Sequence, residues 1–145
     1  MRRFYLVLGD LTVMCLALFF TIFIRYGQVS DSYILAIHFV PFSIIFVLWL
    51  LVFYINNLYE ISLTKNNFEF YSSFAYSFLA NAIIAVTFFY FMPLFGLFRI
   101  TPKTNLFIFL GIVSIALASW RYYFNKLIAR RGLKNNILII ITGKE

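Results

Sequence analysis

The sequence predicts an all-α membrane protein with four transmembrane helices, because of its composition, its four long apolar stretches and the placement of its basic residues. Of the 145 residues, 63% are hydrophobic and only 12% are charged. The mean hydropathy is +0.93. A chain of this size and composition cannot cover a water-facing surface, so we expect most of its surface to face lipid.

Four apolar stretches each approach the ~20 residues that cross a hydrocarbon core of ~30 Å. They run from about 4 to 24, 33 to 55, 71 to 95 and 106 to 123. The first is interpreted as a retained signal anchor, because its apolar run exceeds the roughly 7 to 15 residues of a signal peptide. Residues 1–124 are therefore predicted to form one membrane domain.

The basic residues predict the orientation of the four spans. Of the twelve, nine would lie on the side of the two termini and three, Arg25, Arg99 and Lys103, on the opposite side. Short loops rich in Lys and Arg stay in the cytoplasm. Both termini and the middle loop are therefore expected to be cytoplasmic.

The C-terminal end is predicted to leave the membrane and begin a second domain. Residues 125–135 form a basic juxtamembrane linker, and 136–145 contain an Ile-rich run typical of the buried first strand of a parallel sheet. We expect this Rossmann-like domain to be truncated. Gly143 alone is not a phosphate-binding fingerprint, so no cofactor is assigned to this chain.

Several kinds of site are not expected. Cys15 is the only cysteine, which excludes intrachain disulfides and cysteine-based metal sites. The net charge of +7 resides at span ends, where anionic lipid headgroups explain it, so no nucleic-acid partner is predicted. No catalytic, cofactor-binding or metal-binding residue is assigned.

Asp10 is the one acidic residue within a predicted span. An ionised carboxylate in hydrocarbon costs at least ~2.5 kcal/mol, so it requires a cation or water nearby. The favoured interpretation is an interfacial carboxylate paired with a basic residue such as Arg121. A proton relay or a substrate-binding role is the alternative.

His38 stands in the second span with no other metal ligand at suitable spacing. An interhelical hydrogen bond is favoured over catalysis or pH sensing. The same interhelical bonding is predicted for four further polar residues: Asn81, Thr87, Ser114 and Ser119. Trp120 is predicted to be an aromatic anchor at headgroup depth.

The basic stretch from Arg121 to Lys134 has two interpretations. It is either a plain stop-transfer signal or a helix whose Lys126, Arg130 and Arg131 contact anionic lipid headgroups. The middle loop, 56–70, is likewise either a connector or a docking surface for a soluble domain.

Motifs distributed along the whole chain resemble one bacterial family. They are Asp10 early in the first span, Arg25-Tyr26 closing it, Asn57-Leu58-Tyr59-Glu60 after the second, Ile100 to Leu106 opening the fourth, Trp120-Arg121 ending it, and the stretch 136–143. Together they resemble the N-terminal part of bacterial polyprenyl-phosphate hexose-1-phosphate transferases. Asn57 is a departure, since such sequences often carry Gly there.

The resemblance implies a parent enzyme of exopolysaccharide or O-antigen biosynthesis in the inner (plasma) membrane. Such transferases combine a four-helix membrane domain, a Rossmann-like cytoplasmic domain and a catalytic domain that uses polyprenyl (undecaprenyl) phosphate. They rely on an adjacent Asp-Glu pair, and no two acidic residues are neighbours in this chain. The fragment itself is therefore expected to anchor the missing domains and not to catalyse sugar-phosphate transfer.

Two alternatives remain open at the level of sequence. The membrane domain also resembles the anchor of membrane-bound nucleotide-sugar 4,6-dehydratases and epimerases, which would bind NAD in a following domain. A stand-alone four-span channel or carrier would instead use Asp10 and His38 along its pathway. The sequence also leaves homo-oligomerisation open.

Overall fold

The computed structural model describes residues 2–27, 32–60, 68–91 and 103–132, which form four α-helices. They are α1 (Arg2–Tyr26), α2 (Ser32–Ile55), α3 (Phe68–Phe91) and α4 (Lys103–Gly132). All four are long and apolar enough to cross a membrane. The predicted all-α fold with four apolar helices of membrane-spanning length is confirmed for the described residues. The strand predicted over 136–145 lies outside the described residues.

The helices alternate in direction through the bundle. Asp10, early in α1, contacts Arg121, late in α4, whereas Tyr26 at the end of α1 meets Asn105 near the start of α4. Phe53 near the end of α2 stacks on Phe74 near the start of α3. We call the end where α1 begins the proximal end, and the end where α4 begins the distal end.

Aromatic rings fill the centre of the bundle. The ring centroid of Phe42 on α2 lies 5.0 Å from that of Phe89 on α3 and 5.0 Å from that of Phe109 on α4. Phe46 and Trp49 continue this cluster along α2, each 5.8 Å from Phe109. Because lipid tails are as apolar as these side chains, close packing stabilises the bundle more than burial does. The centre is a packed core.

All four helices begin one to three residues before their predicted spans, and α4 also ends well beyond its span. α3 begins at Phe68, and α4 continues to Gly132, so the segment 125–132 of the predicted linker is helical. The edge of an apolar run marks where hydrocarbon ends, and it does not mark where a helix ends. Segment 125–132 holds good helix formers and no proline, so nothing in it ends the helix before Gly132.

A capped turn ends α2 and directs the chain back under the bundle. Asn57 has a positive φ of 56°, and the amides of Leu58 and Asn57 donate to the carbonyl oxygens of Phe53 and Tyr54, each at 3.0 Å. These two bonds form a Schellman motif with Asn57 at the left-handed position, which glycine most often occupies. The departure from Gly noted in the sequence falls at this position. Asn is the side chain that best tolerates it.

Candidate functional site

A buried ion pair joins α1 to α4 at the proximal end. The Nη2 group of Arg121 donates to Oδ2 of Asp10, and both side chains are 0% exposed. An isolated charge at this depth would be strongly destabilising, whereas the pair is neutral as a unit. The sequence prediction that Asp10 pairs with a basic residue such as Arg121 is confirmed.

The turn after α2 supplies the remaining ligands of this ion pair. The Tyr59 hydroxyl donates to Oδ2 of Asp10 at 2.9 Å, and Nη1 of Arg121 donates to the Leu58 carbonyl oxygen at 2.8 Å. The guanidinium carbon also lies 4.9 Å from the centroid of the Tyr59 ring. The three elements α1, α4 and the α2 turn are thus fastened at one point, which we call the proximal cluster: Asp10, Leu58, Tyr59 and Arg121.

Tyr59 is held in its neutral, donating form. Burial first, and the neighbouring Asp10 carboxylate second, raise the pKa of Tyr59 above its usual range. Both causes disfavour the phenolate. Since the Asp10 oxygen already accepts from a cation and a phenol, the arrangement supports a structural ion pair over a proton relay.

Trp120 borders the proximal cluster and sets the distance between α1 and α4. Its indole covers Gly9, and a Cβ placed on Gly9 would overlap the ring. Only glycine therefore allows this approach. Trp120 thus packs α4 against α1, and its predicted role as an aromatic anchor at headgroup depth stays a prediction.

A second polar group ties the same helices together at the distal end. The Nδ2 of Asn105 on α4 lies 2.6 Å from Nε2 of His38 on α2 and donates to the Tyr26 hydroxyl of α1 at 3.2 Å. We call these three residues the distal cluster. The hydrogen bond predicted for His38 is confirmed, and it joins two helices.

The other polar predictions are met in part. Asn81 of α3 donates to the Trp49 carbonyl oxygen of α2 at 3.4 Å, so its interhelical bond is confirmed. The prediction for Ser114 is wrong, since its hydroxyl donates to the Gly111 carbonyl oxygen of its own helix at 2.8 Å. For Thr87 and Ser119 it stays a prediction.

Two further candidate residues, Arg25 and Lys126, lie on the surface. Arg25 is exposed in the last turn of α1, where a cation is favoured by the helix dipole. Lys126 is exposed on α4 with its Nζ 5.6 Å from the centroid of the Tyr122 ring. Positions 130 and 131 belong to α4, and their side chains lie outside what the structure describes. The headgroup contacts therefore stay a prediction.

Two side chains of the polar clusters were not predicted as site residues from the sequence. Tyr59 and Asn105 belong to the motifs that resemble the transferase family, but the sequence did not predict their contacts. Their partners, Asp10 and His38, lie 49 and 67 residues away along the chain. A usable signal did exist, because a buried carboxylate and a buried imidazole each need a donor or acceptor. Tyr59 and Asn105 are polar residues at the matching ends of neighbouring spans.

Comparison with known proteins leaves the family undecided. No family model matches this chain, and neither a curated protein nor a solved structure matches it. In the part of the chain that the structure describes, no group of three or more His, Cys, Asp or Glu side chains could hold a metal ion.

Proposed function

We propose that this chain is the membrane-anchoring N-terminal module of a polyprenyl-phosphate sugar-1-phosphate transferase of exopolysaccharide or O-antigen biosynthesis. One observation carries the proposal: residues of the motifs that resemble this family are the ones that fasten the bundle. Asp10, Tyr59 and Arg121 meet in the proximal cluster, and Tyr26 and Asn105 meet in the distal cluster. Motif residues that act together in this way support a shared membrane domain.

The proposed orientation places the proximal end in the cytoplasm. Nine of the twelve basic residues favour that side. α4 continues eleven residues past Arg121, about 16 Å at the helical rise. A continuous helix of this kind would hold the parent enzyme's cytoplasmic domains at a fixed distance from the membrane. A reporter that is active only in the cytoplasm should be active when it is fused after Glu145. Activity of a periplasmic reporter fused at the same position would contradict the orientation.

The anchor of a nucleotide-sugar dehydratase is the main alternative, since the resemblance extends to those membrane domains. The two proposals differ in the product. A transferase moves sugar 1-phosphate from a nucleotide diphosphate sugar to polyprenyl phosphate and releases a nucleoside monophosphate. A dehydratase would convert the nucleotide sugar to a soluble 4-keto-6-deoxy product.

The packing of the core speaks against a channel or carrier. Phe42, Phe46 and Phe109 occupy the bundle centre between the two polar clusters, and no water-lined path can run where phenyl rings are in contact. Asp10 and His38 are each engaged by neighbours at opposite ends. A proteoliposome flux assay that gave flux sensitive to Asp10→Asn would overturn the anchor proposal.

The direct test uses the complete reading frame that contains residues 1–145. Membranes holding that protein should transfer label from a nucleotide sugar to an organic-extractable lipid when polyprenyl phosphate is supplied. Residues 1–145 alone should show no transfer. A soluble keto sugar in place of the labelled lipid would favour the dehydratase.

A matched pair of variants tests the anchoring role in the same protein. Asp10→Asn should lower transfer and the amount of assembled membrane protein in parallel, because it disrupts the proximal cluster. Glu69→Gln, at an exposed carboxylate on α3, should leave both unchanged. Lost transfer with full assembly in Asp10→Asn would indicate a catalytic role and contradict the proposal.

A further inference from the structure

An apolar groove of about 710 Å³ runs between α1 and α4 in the proximal half of the bundle. Its α1 wall includes Tyr5, Leu8, Thr12 and Leu16, and its α4 wall includes Trp120 and Phe124. The Thr12 hydroxyl is turned to the Leu8 carbonyl oxygen at 2.8 Å, so it adds little polarity. The groove therefore offers a hydrocarbon surface.

The floor of the groove is closed. Trp120 lies directly on Gly9 where the two helices approach, and the ion pair of Asp10 and Arg121 is fully buried. A molecule in the groove would touch the indole face without reaching the charges. The groove is consequently a binding surface, not an entrance to the core.

The length of the groove matches one leaflet of a bilayer. From Tyr5 to Leu16 it covers eleven helical steps along α1, about 16 Å at 1.5 Å per step. One leaflet contributes about half of a ~30 Å hydrocarbon core. A hydrocarbon chain within one leaflet has this length, so the dimensions fit a single lipid chain.

The proximal end of the same two helices carries an excess of positive charge. α1 begins with Arg2 and Arg3, and α4 ends with Lys126, Arg130 and Arg131. Position 2 lies one turn before Tyr5, and position 131 lies one turn beyond Leu127, both in register with the groove. The only acidic residue of α1 and α4 is Asp10, which Arg121 neutralises. Glu60 after α2 and Glu69 at the start of α3 lie at the same end, so five basic residues there face two carboxylates and the net charge stays positive.

We propose that this groove binds one hydrocarbon chain of an anionic membrane phospholipid whose phosphate lies among the basic residues at the proximal end. The apolar walls take the chain, and the basic positions select the headgroup. The site is separate from any sugar-transfer chemistry, so it holds whether or not the transferase proposal does.

Tryptophan fluorescence with brominated lipids tests the proposal in the intact chain. The protein contains two tryptophans: Trp120 lines the groove, and Trp49 is fully buried in the core. The difference between the native chain and Trp120→Phe isolates the Trp120 signal. The protein is placed in phosphatidylcholine vesicles that contain a minor fraction of dibrominated phosphatidylglycerol, and separately the same fraction of dibrominated phosphatidylcholine.

Brominated phosphatidylglycerol should quench Trp120 as though enriched about fivefold or more over its bulk fraction, the enrichment expected from one basic residue near the headgroup. Brominated phosphatidylcholine should quench it only in proportion to that fraction. Arg2→Gln with Arg131→Gln should lower the enrichment, because two of the five basic residues are removed. Thr12→Phe should abolish it by filling the groove, whereas Ile83→Phe, on the exposed face of α3, should leave it intact.

Three results would overturn the proposal. Quenching in proportion to bulk composition for both lipids would mean that no selective site exists. Enrichment that survives Thr12→Phe would place the lipid elsewhere. Absence of quenching of Trp120 by either lipid, together with a dimer in sedimentation, would mean that a second copy of the chain covers the groove.

Discussion

The proximal and distal clusters connect the same three parts of the bundle by different chemistry. At the proximal end α1, α4 and the turn after α2 meet around a buried ion pair, with Asp10 and Arg121 both fully enclosed. At the distal end α1, α2 and α4 meet through neutral groups, and Tyr26 remains 41% exposed. The proximal cluster therefore contains a fully buried ion pair, whereas the distal cluster contains neutral hydrogen-bonding groups and is partly exposed.

This difference predicts an asymmetry in how the bundle responds to substitution. Neutral hydrogen bonds between membrane helices average only about 0.6 kcal/mol, with a maximum near 1.7 kcal/mol. Removing one partner of a buried ion pair costs about 3–5 kcal/mol, because the other charge stays buried and unpaired. Substitutions at the proximal end should consequently lower the free energy of unfolding more than substitutions at the distal end.

The largest expected effect comes from Asp10→Asn. It leaves the Arg121 guanidinium buried without a carboxylate and should lower the free energy of unfolding by about 3–5 kcal/mol. Unfolding in mixed micelles measures the change. Glu69→Gln, the exposed carboxylate of α3, is the control and should change the free energy by less than about 0.5 kcal/mol. Equal changes in the free energy of unfolding for the two variants would contradict the proposed asymmetry.

Tyr59→Phe tests the second ligand of Asp10. It removes a hydrogen bond to a charged group and should cost about 1.5–3 kcal/mol while keeping the ring over Arg121. Tyr54→Phe, which alters a 68% exposed phenol one turn earlier, provides the comparison and should be close to neutral. The same micelle unfolding assay applies. A neutral Tyr59→Phe would mean that the ion pair does not need the phenol.

Gly9→Ala tests whether the close approach of α1 and α4 at Gly9 contributes to stability at the proximal end. The added methyl would overlap Trp120, which should cost about 1–3 kcal/mol by overpacking. Gly111→Ala meets open space on α4 and should be neutral or stabilising by up to about 1 kcal/mol. Adding Trp120→Ala to Gly9→Ala should restore part of the loss. Failure to restore any of it would show that another contact sets the helix distance.

Substitution in the distal cluster should change the free energy of unfolding least. Asn105→Ala removes two hydrogen bonds between neutral groups and should cost about 1.2 kcal/mol, at the average of about 0.6 kcal/mol for each bond. Unfolding in the same micelles, with Ser114→Ala as a control for a hydroxyl bonded within its own helix, measures the difference. A loss as large as that of Asp10→Asn would reverse the comparison between the two ends.

The sequence predicted the spans and the ion pair well, for the same reason. Hydrocarbon leaves few options: an apolar run of about 20 residues must cross it, and a carboxylate such as Asp10 must find a cation. Both constraints can be read from residue type and from position within the spans. They placed all four helices and selected Arg121.

The rest depended on tertiary geometry that composition does not encode. Tyr59 reaches Asp10 only because Asn57 adopts a left-handed conformation that turns the chain under the bundle. Asn105 reaches His38 because two helix ends meet in space. The helical length of α4 was missed because the apolar run ends before the helix does. Family, orientation and headgroup contacts stay predictions.

A double-mutant cycle on Asp10 and Arg121 tests the central claim, that a buried ion pair fastens the proximal end. The four proteins are the native chain, Asp10→Asn, Arg121→Gln and the double variant, each unfolded in the same mixed micelles. The double variant should be less damaged than the sum of the single variants by at least about 2 kcal/mol, because it leaves neither charge unpaired. Additivity within about 0.5 kcal/mol would contradict the claim.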